Sequence, residues 1–195
     1  LPVYRQRDEG LEGGAHGDRA KRNEATFARC RALLQQHHAL ALFPEGTTHS
    51  KTLMLPLHSG AARIALSAEA ETNWAIDFLI VPTGLWYQNK AQFRSSALVV
   101  VGQPFAIDDL ALLYATDPET AVDELTARID TALDAVVLQA EHAELLRGLP
   151  LVAAWTAPQE LQSLEEQHAR TAQLLAAYQR LRTTDPARLA AVEQQ

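Results

Sequence analysis

The stretch "LFPEGTTHSKTLMLPLHSGAARIAL", residues 42–66, holds the features that decide how this part of the chain folds. Pro44 ends a short apolar run. Because proline cannot donate a hydrogen bond to a strand ladder, it terminates a strand predicted over residues 39–43. A loop rich in hydroxyl groups follows, and residues 60–70 then show the apolar spacing of a helix, with Ser59 placed as the N-cap. The stretch predicts a strand, a polar loop and a helix in succession.

The same alternation continues on both sides of this stretch. Further short runs with the composition of strands occupy residues 1–5, 77–82 and 97–104. An amphipathic helix is predicted over residues 24–38, and the pattern from residue 108 onward is helical. We therefore expect an α/β domain over residues 1–107, with a mixed, largely parallel sheet flanked by helices, and an α-helical C-terminal extension over residues 108–195.

Composition narrows the class of protein. The chain has 195 residues, of which 47% are hydrophobic and 21% charged, as in soluble globular proteins. A single cysteine excludes a disulfide framework and favours a reducing compartment. Residues 1–95 carry 11 Lys+Arg against 9 Asp+Glu, whereas residues 96–195 carry 6 against 15. The front half suits an anionic small molecule, and the acidic rear half argues against a nucleic-acid partner.

The loop after Pro44 has the groups of a phosphate cradle. Gly46 allows close approach of the backbone, hydroxyl donors follow it, and Lys51 adds positive charge. A carboxylate in an anion site must do something else, so Glu45 is expected to accept a substrate hydroxyl or to pair with Arg5. The alternative is an ordinary turn after a strand, with a surface glutamate.

Four stretches resemble motifs of the glycerolipid acyltransferase family, which acylates glycerol-3-phosphate or 1-acylglycerol-3-phosphate. "FPEGT" (residues 43–47) resembles the third motif of that family, and "LPVYR", which ends at Arg5, resembles the end of the second. "LPLHSGAARIAL" is similar to the helix after the third motif, and "IVPTGLWY" to the fourth. The resemblance covers residues 1–105 in the expected order, and it implies the fold of that family.

The resemblance also implies site residues. Those that would bind the acceptor and its phosphate are Arg5, Glu45, Gly46, Thr47 and Lys51. Those that would support the pocket are Phe43, Pro44, Thr48, His49, Val81 and Pro82. Many members have Arg or Lys at the position of Thr48, which leaves the identity of the acceptor open. We expect no metal, since the spacing of the histidines matches no standard ligand pattern.

The general base of this family is the histidine of a His-x4-Asp motif. None of the seven histidines in this sequence has an aspartate five positions later. No catalytic residue is therefore assigned in this chain; the motif is expected upstream of Leu1, in natural sequence that is missing here, and the chain alone is expected to be inactive. The alternative is a non-catalytic module that binds a glycerophosphate headgroup or a protein partner.

The implied reaction moves a fatty acyl group from a thioester, acyl-CoA or acyl-carrier protein, to a hydroxyl of glycerol-3-phosphate or a lysophospholipid in phospholipid biosynthesis. The thioester is a co-substrate, and no cofactor is expected. The lipid product implies a membrane surface as a partner. We expect a location on the cytoplasmic face of a membrane, either peripheral or anchored through segments outside this chain.

Overall fold

The computed structural model describes residues 16–88, 92–155 and 163–186. The described part contains six α-helices, which are α1 (His16–Gln35), α2 (Gly60–Glu71), α3 (Ala111–Thr116), α4 (Pro118–Asp134), α5 (Ala143–Trp155) and α6 (Leu164–Thr184). Two strands lie between α2 and α3, namely β1 (Thr83–Tyr87) and β2 (Ala97–Val101). No helix in these ranges is long and apolar enough to cross a membrane.

The chain divides into two compact units, and each is built from separate stretches of sequence. The first unit comprises the described residues up to Thr47, together with Pro56–Val81 and Pro104–Asp130. The second comprises Thr48–Leu55, Pro82–Gln103 and the described residues from Thr131 onward. The predicted division of the sequence after residue 107 stays a prediction.

Helices α1 and α2 pack together in the first unit. Arg31 on α1 lies 2.8 Å from the carboxylate of Glu71 on α2, and Gln35 donates to the same carboxylate over 2.8 Å. The core of this unit is formed by the apolar side chains Cys30, Ala62, Ile64, Ala65, Leu66, Ala68, Ile107, Leu110, Ala121, Val122, Leu125 and Ile129. Burial raises the pKa of the Cys30 thiol, which agrees with a core residue rather than a nucleophile.

A buried carboxylate organises the loop after α2. Glu69 is 3% exposed, and its two carboxylate oxygens accept the backbone N–H groups of Ile76 (3.2 Å) and Phe78 (3.3 Å). Within this loop Asn73, Trp74 and Asp77 all have left-handed backbones, with φ between 53° and 61°. The charged side chain therefore satisfies donors of a loop whose own turns leave no regular hydrogen-bond ladder.

The sheet of the described residues is a two-stranded antiparallel hairpin, so the largely parallel sheet predicted from sequence is not supported. Leu85 of β1 lies opposite Val99 of β2. The reason is the link between the strands, residues 88–96, because parallel neighbours need a crossover of a dozen residues or more. The predicted strand over residues 97–104 is confirmed only in part, as β2.

Of the other predicted strands, the one over residues 39–43 is wrong, and the one over residues 77–82 is reduced to a single bridge. Residues 39–43 form no strand, and Leu42 and Phe43 are 43% and 78% exposed. In the described part of the chain no neighbouring strand lies beside this run to pair with it. Of residues 77–82, only Ile80 pairs, in an isolated antiparallel bridge to Phe105. The strand predicted over residues 1–5 lies outside the described residues.

In the second unit the hairpin packs closely on the segment that follows α4. A Cβ built on Gly84 would lie 2.1 Å from the carbonyl oxygen of Val136, so only glycine fits at this position. On β1, Trp86 meets the His168 ring edge to face at 5.7 Å. Helix α6, which carries His168, begins with a capping box in which Ser163 and Glu166 bond reciprocally.

Candidate functional site

The turn over residues 43–46 is the centre of the predicted site, and it lies in the first unit. The backbone N–H of Gly46 donates to the carbonyl oxygen of Phe43 over 3.0 Å, which closes a tight turn. Gly46 has a φ of 64°, in the left-handed region that glycine adopts without steric cost. This explains why a glycine follows Glu45 in the sequence, independently of any ligand.

The side chain of His58 lies directly against this turn. Its backbone N–H donates to the carbonyl oxygen of Pro44 over 2.9 Å. A Cβ built on Gly46 would lie 2.6 Å from Cδ2 of the imidazole and 3.1 Å from Nε2. Gly46 is therefore fixed twice, once by its backbone angle and once by the ring packed beside it.

Glu45 and Thr47 flank Gly46 and are both half-buried. Each of the two residues takes part in a further interaction within the protein. Phe43 is 78% exposed, so most of its side chain faces away from the core, and its predicted support of the pocket stays a prediction. The turn and the residue after it carry one carboxylate and one hydroxyl, groups that can accept and donate hydrogen bonds to a ligand that carries hydroxyl groups.

The remaining residues of the hydroxyl-rich loop belong to the second unit. Thr48 and Lys51 are exposed, whereas His49 is half-buried. The imidazole Nδ1 of His49 accepts the backbone N–H of Lys51 over 3.1 Å, so the two residues form a small local turn. The structure thus gathers Glu45, Gly46 and Thr47 within one unit and assigns Lys51 to the other.

The two residues of the fourth motif are divided in the same way. Val81 ends a stretch of the first unit and is 46% exposed. Pro82 begins a stretch of the second unit, where its carbonyl oxygen accepts the N–H of Gly102 over 2.9 Å. That bond holds the base of the hairpin, and the predicted support of the pocket by Pro82 stays a prediction.

Arg63 is a second arginine, besides Arg5, that could carry the positive charge for a phosphate. Arg5 lies outside the described residues. Arg63, on the first turn of α2, reaches Glu119 at 3.6 Å and donates to the Ser59 hydroxyl over 3.3 Å. Ser59 occupies the predicted N-cap position, but its side chain makes no capping hydrogen bond. Arg63 is therefore engaged within its own unit.

His58 is the residue that reasoning from sequence missed. The histidines match no metal-binding pattern, and a contact between residues 46 and 58 leaves no periodic signal from which a role for His58 could be predicted. Gly46 is the residue that could have indicated this contact, because a position that requires glycine often has another group packed closely against its backbone. In the described ranges no group of three or more His, Cys, Asp or Glu side chains has a metal-binding arrangement.

Residues 5–86 of the chain match the family model described as Acyltransferase. The matched range includes the 43–46 turn, His58, α2 and most of β1. The match begins at Arg5, which is the last residue of the stretch that resembles the second motif.

Curated proteins of two yeasts are similar to the same chain. Glycerol-3-phosphate O-acyltransferase 2 of Saccharomyces cerevisiae is 30% identical over 125 residues, which are 64% of this chain and 17% of the yeast protein. Glycerol-3-phosphate O-acyltransferase 1 of the same yeast is 34% identical over 116 residues, 58% of this chain and 15% of that protein. An uncharacterized acyltransferase of Schizosaccharomyces pombe is 31% identical over 122 residues, 62% of this chain and 18% of its own length.

The chain spans between 15% and 18% of the length of these curated relatives. No solved structure matches it significantly. The family model and the yeast relatives together support the glycerolipid acyltransferase family for this chain, and they confirm the resemblance that its motifs indicate.

Proposed function

We propose that the protein takes part in the transfer of a fatty acyl group from an acyl thioester to a hydroxyl of glycerol-3-phosphate or a lysophospholipid. The observation that carries this proposal is the left-handed Gly46 between Glu45 and Thr47, packed on His58 inside the range that matches the acyltransferase family. Two of its relatives are named for acylation of glycerol-3-phosphate, which supports that acceptor.

In the proposed reaction the acceptor hydroxyl attacks the thioester carbonyl, a general base takes the hydroxyl proton, and the thiolate leaves. An ester bond forms and a thioester bond breaks, so no redox cofactor is required. The donor is acyl-CoA or an acyl-carrier protein. We propose a membrane surface as the place of reaction, on the cytoplasmic side, because the products are lipids.

Glu45 is proposed to order the acceptor rather than to act as the base. A half-buried carboxylate beside Gly46 can accept a hydrogen bond from a glycerol hydroxyl or orient an arginine on the phosphate. Thr47 would donate from the same turn. Arg5 and Lys51 would supply the positive charge, and Phe43, Pro44, Thr48, His49, Val81 and Pro82 would support the pocket.

Binding of glycerol-3-phosphate to this chain tests the proposal by isothermal calorimetry. We expect saturable binding that Arg5→Ala abolishes and Glu45→Gln weakens, because loss of a hydrogen bond to a charged group costs about 1.5–3 kcal/mol. Arg29→Ala is the matched control, since Arg29 is an exposed arginine on α1. Glycerol without phosphate should not bind. Binding that is equally strong for Arg5→Ala and the unaltered chain would contradict the assignment.

A second experiment separates an enzyme from a binding module. The binding module is the alternative function, and the observation in its favour is that this sequence contains no His-x4-Asp motif. Release of free thiol from palmitoyl-CoA is measured in the presence of glycerol-3-phosphate, once with this chain and once with a longer protein in which an N-terminal segment carrying His-x4-Asp is joined to it. We expect turnover only in the longer protein. Acceptor-dependent turnover by this chain would show that its base lies among its own residues, whereas binding without turnover by both proteins would favour the module.

A further inference from the structure

The contact between His58 and the 43–46 turn involves two different parts of the histidine. The backbone N–H bonds to the carbonyl oxygen of Pro44 over 2.9 Å, and the imidazole occupies the space in which a Cβ of Gly46 would stand. The first contact fixes the beginning of the turn, and the second fixes the end of it. Between these two points lies Glu45.

Gly46 needs such a neighbour if Glu45 and Thr47 are to keep one orientation. Glycine has the largest range of backbone conformations, and a glycine between two binding residues lets them rotate independently. The ring of His58 restricts that range, because it lies within van der Waals distance of the glycine on the side where a side chain would be. If the turn is already restricted before the ligand binds, less conformational entropy is lost on binding, and binding is tighter.

Burial in the core does not account for the placement of this ring. The side chain of His58 is exposed, in a stretch of loop just before α2, so its packing on the turn is a local arrangement. His38, which follows α1 in the same unit, is also exposed and supplies a matched comparison. The contact between the His58 ring and Gly46 is therefore not explained by burial of the ring in the hydrophobic core.

We propose that His58 is a positioning residue for acceptor binding. Its ring and its backbone N–H hold the 43–46 turn in the shape in which Glu45 and Thr47 meet the acceptor. The inference rests on the proposed function for the identity of the ligand, glycerol-3-phosphate, but the positioning of the turn is independent of it. His58 then acts through Gly46 and does not itself contact the acceptor.

A double-mutant cycle tests the positioning without any ligand. The urea midpoint of unfolding is measured for Gly46→Ala, His58→Ala and the double variant. Gly46→Ala places a methyl group against the ring, so its shift should be smaller once His58 is alanine. The strain of a left-handed alanine remains in both backgrounds. Strict additivity would overturn the proposal, and a cycle of Gly46→Ala with His38→Ala, which should be additive, is the control.

Calorimetry with glycerol-3-phosphate tests the consequence for binding. His58→Ala should raise Kd by about tenfold, whereas His58→Phe, which retains a ring on Gly46, should stay within about twofold of the unaltered chain. His38→Ala should leave Kd unchanged. An equal loss in His58→Ala and His58→Phe would mean that an imidazole nitrogen binds the ligand, which overturns the positioning role.

Failure of this inference is distinguishable from failure of the proposed function. If the unaltered chain binds glycerol-3-phosphate and His58→Ala binds it equally well, the positioning role is refuted and the proposed function stands. If the unaltered chain does not bind it at all, the proposed function is refuted. The cycle on the urea midpoints then still decides whether His58 positions the turn.

Discussion

Replacement of Glu69 by glutamine should destabilise the first unit. The side chain of Glu69 holds the loop after α2 by hydrogen bonds to backbone groups seven and nine residues further along the chain. The carboxylate is 3% exposed and accepts the N–H groups of Ile76 and Phe78 through separate oxygens. Glutamine has nearly the same shape but offers one oxygen and one NH₂ group. One backbone donor therefore loses its acceptor and faces another donor.

The magnitude follows from the two hydrogen bonds. A hydrogen bond to a charged group contributes about 1.5–3 kcal/mol, and distances of 3.2 and 3.3 Å are at the long end of the normal range, which favours the lower figure. Glu69→Gln should therefore lower the unfolding free energy by about 2 kcal/mol. Glu69→Ala removes both bonds and leaves both donors unsatisfied, so it should cost about 3–4 kcal/mol. For a chain of this size 2 kcal/mol corresponds to a fall in Tm of about 4–8 °C.

The assay is urea unfolding followed by circular dichroism, combined with amide hydrogen exchange at Ile76 and Phe78. Exchange at these two amides should accelerate in Glu69→Gln more than exchange inside α2. Glu119→Gln is the control, since the Glu119 side chain is 84% exposed and surface substitutions usually stay within about 0.5 kcal/mol. If Glu69→Gln also stays within that limit and the two amides exchange as before, the carboxylate does not hold the loop.

Three further predictions concern other parts of the chain. Gly84→Ala should lower the free energy of unfolding by about 3 kcal/mol, because its Cβ would lie 2.1 Å from a backbone oxygen. Gly148→Ala in α5, where the added Cβ meets open space, should raise it by about 0.5–1 kcal/mol. Equal urea midpoints for the two variants would refute this prediction. Burial lowers the pKa of His168, so the folded state stays neutral while the unfolded chain takes up a proton; stability should fall as pH drops below about 6.5 and level off below the folded-state pKa. His168→Phe should remove that part of the slope in urea titrations at pH 7.5, 6.5 and 5.5, and an unchanged slope would count against the assignment. Because burial raises the pKa of the Cys30 thiol and leaves it 2% exposed, DTNB at pH 8 should label no thiol in the native chain and one per chain in urea; rapid native labelling would show that this region opens.

The helices were more predictable than the strands, for a physical reason. A helix such as α2 satisfies its backbone within itself, so the apolar spacing of residues 60–70 suffices to place it. A strand needs a partner, and the apolar run at residues 39–43 carried no information on whether one lies beside it. The hairpin was not predicted, because the pairing of β1 with β2 and the close approach of Gly84 to Val136 are contacts between separate segments that a run of apolar residues does not indicate.

The site was predictable as a set of residues but not as an arrangement. Motif resemblance selected Glu45, Gly46 and Thr47, and the comparisons support the family from which that choice came. The roles of these residues stay predictions. The sequence could not indicate that Lys51 belongs to the second unit, nor that His58 lies on Gly46, because both depend on how the loop between them is folded.

The interleaving of the two units constrains how the chain can be made and shortened. The backbone passes between the units at Thr47, Leu55, Val81, Gln103 and Asp130. During synthesis the first unit lacks its last segment until Pro104–Asp130 has left the ribosome, by which time Thr48–Leu55 and Pro82–Gln103 of the second unit have also emerged. A chain that ended at residue 107 would lose most of that segment, with Leu110, Val122 and Leu125 of the core. Removal of the helical C-terminal part would therefore unfold the region around the 43–46 turn instead of isolating it.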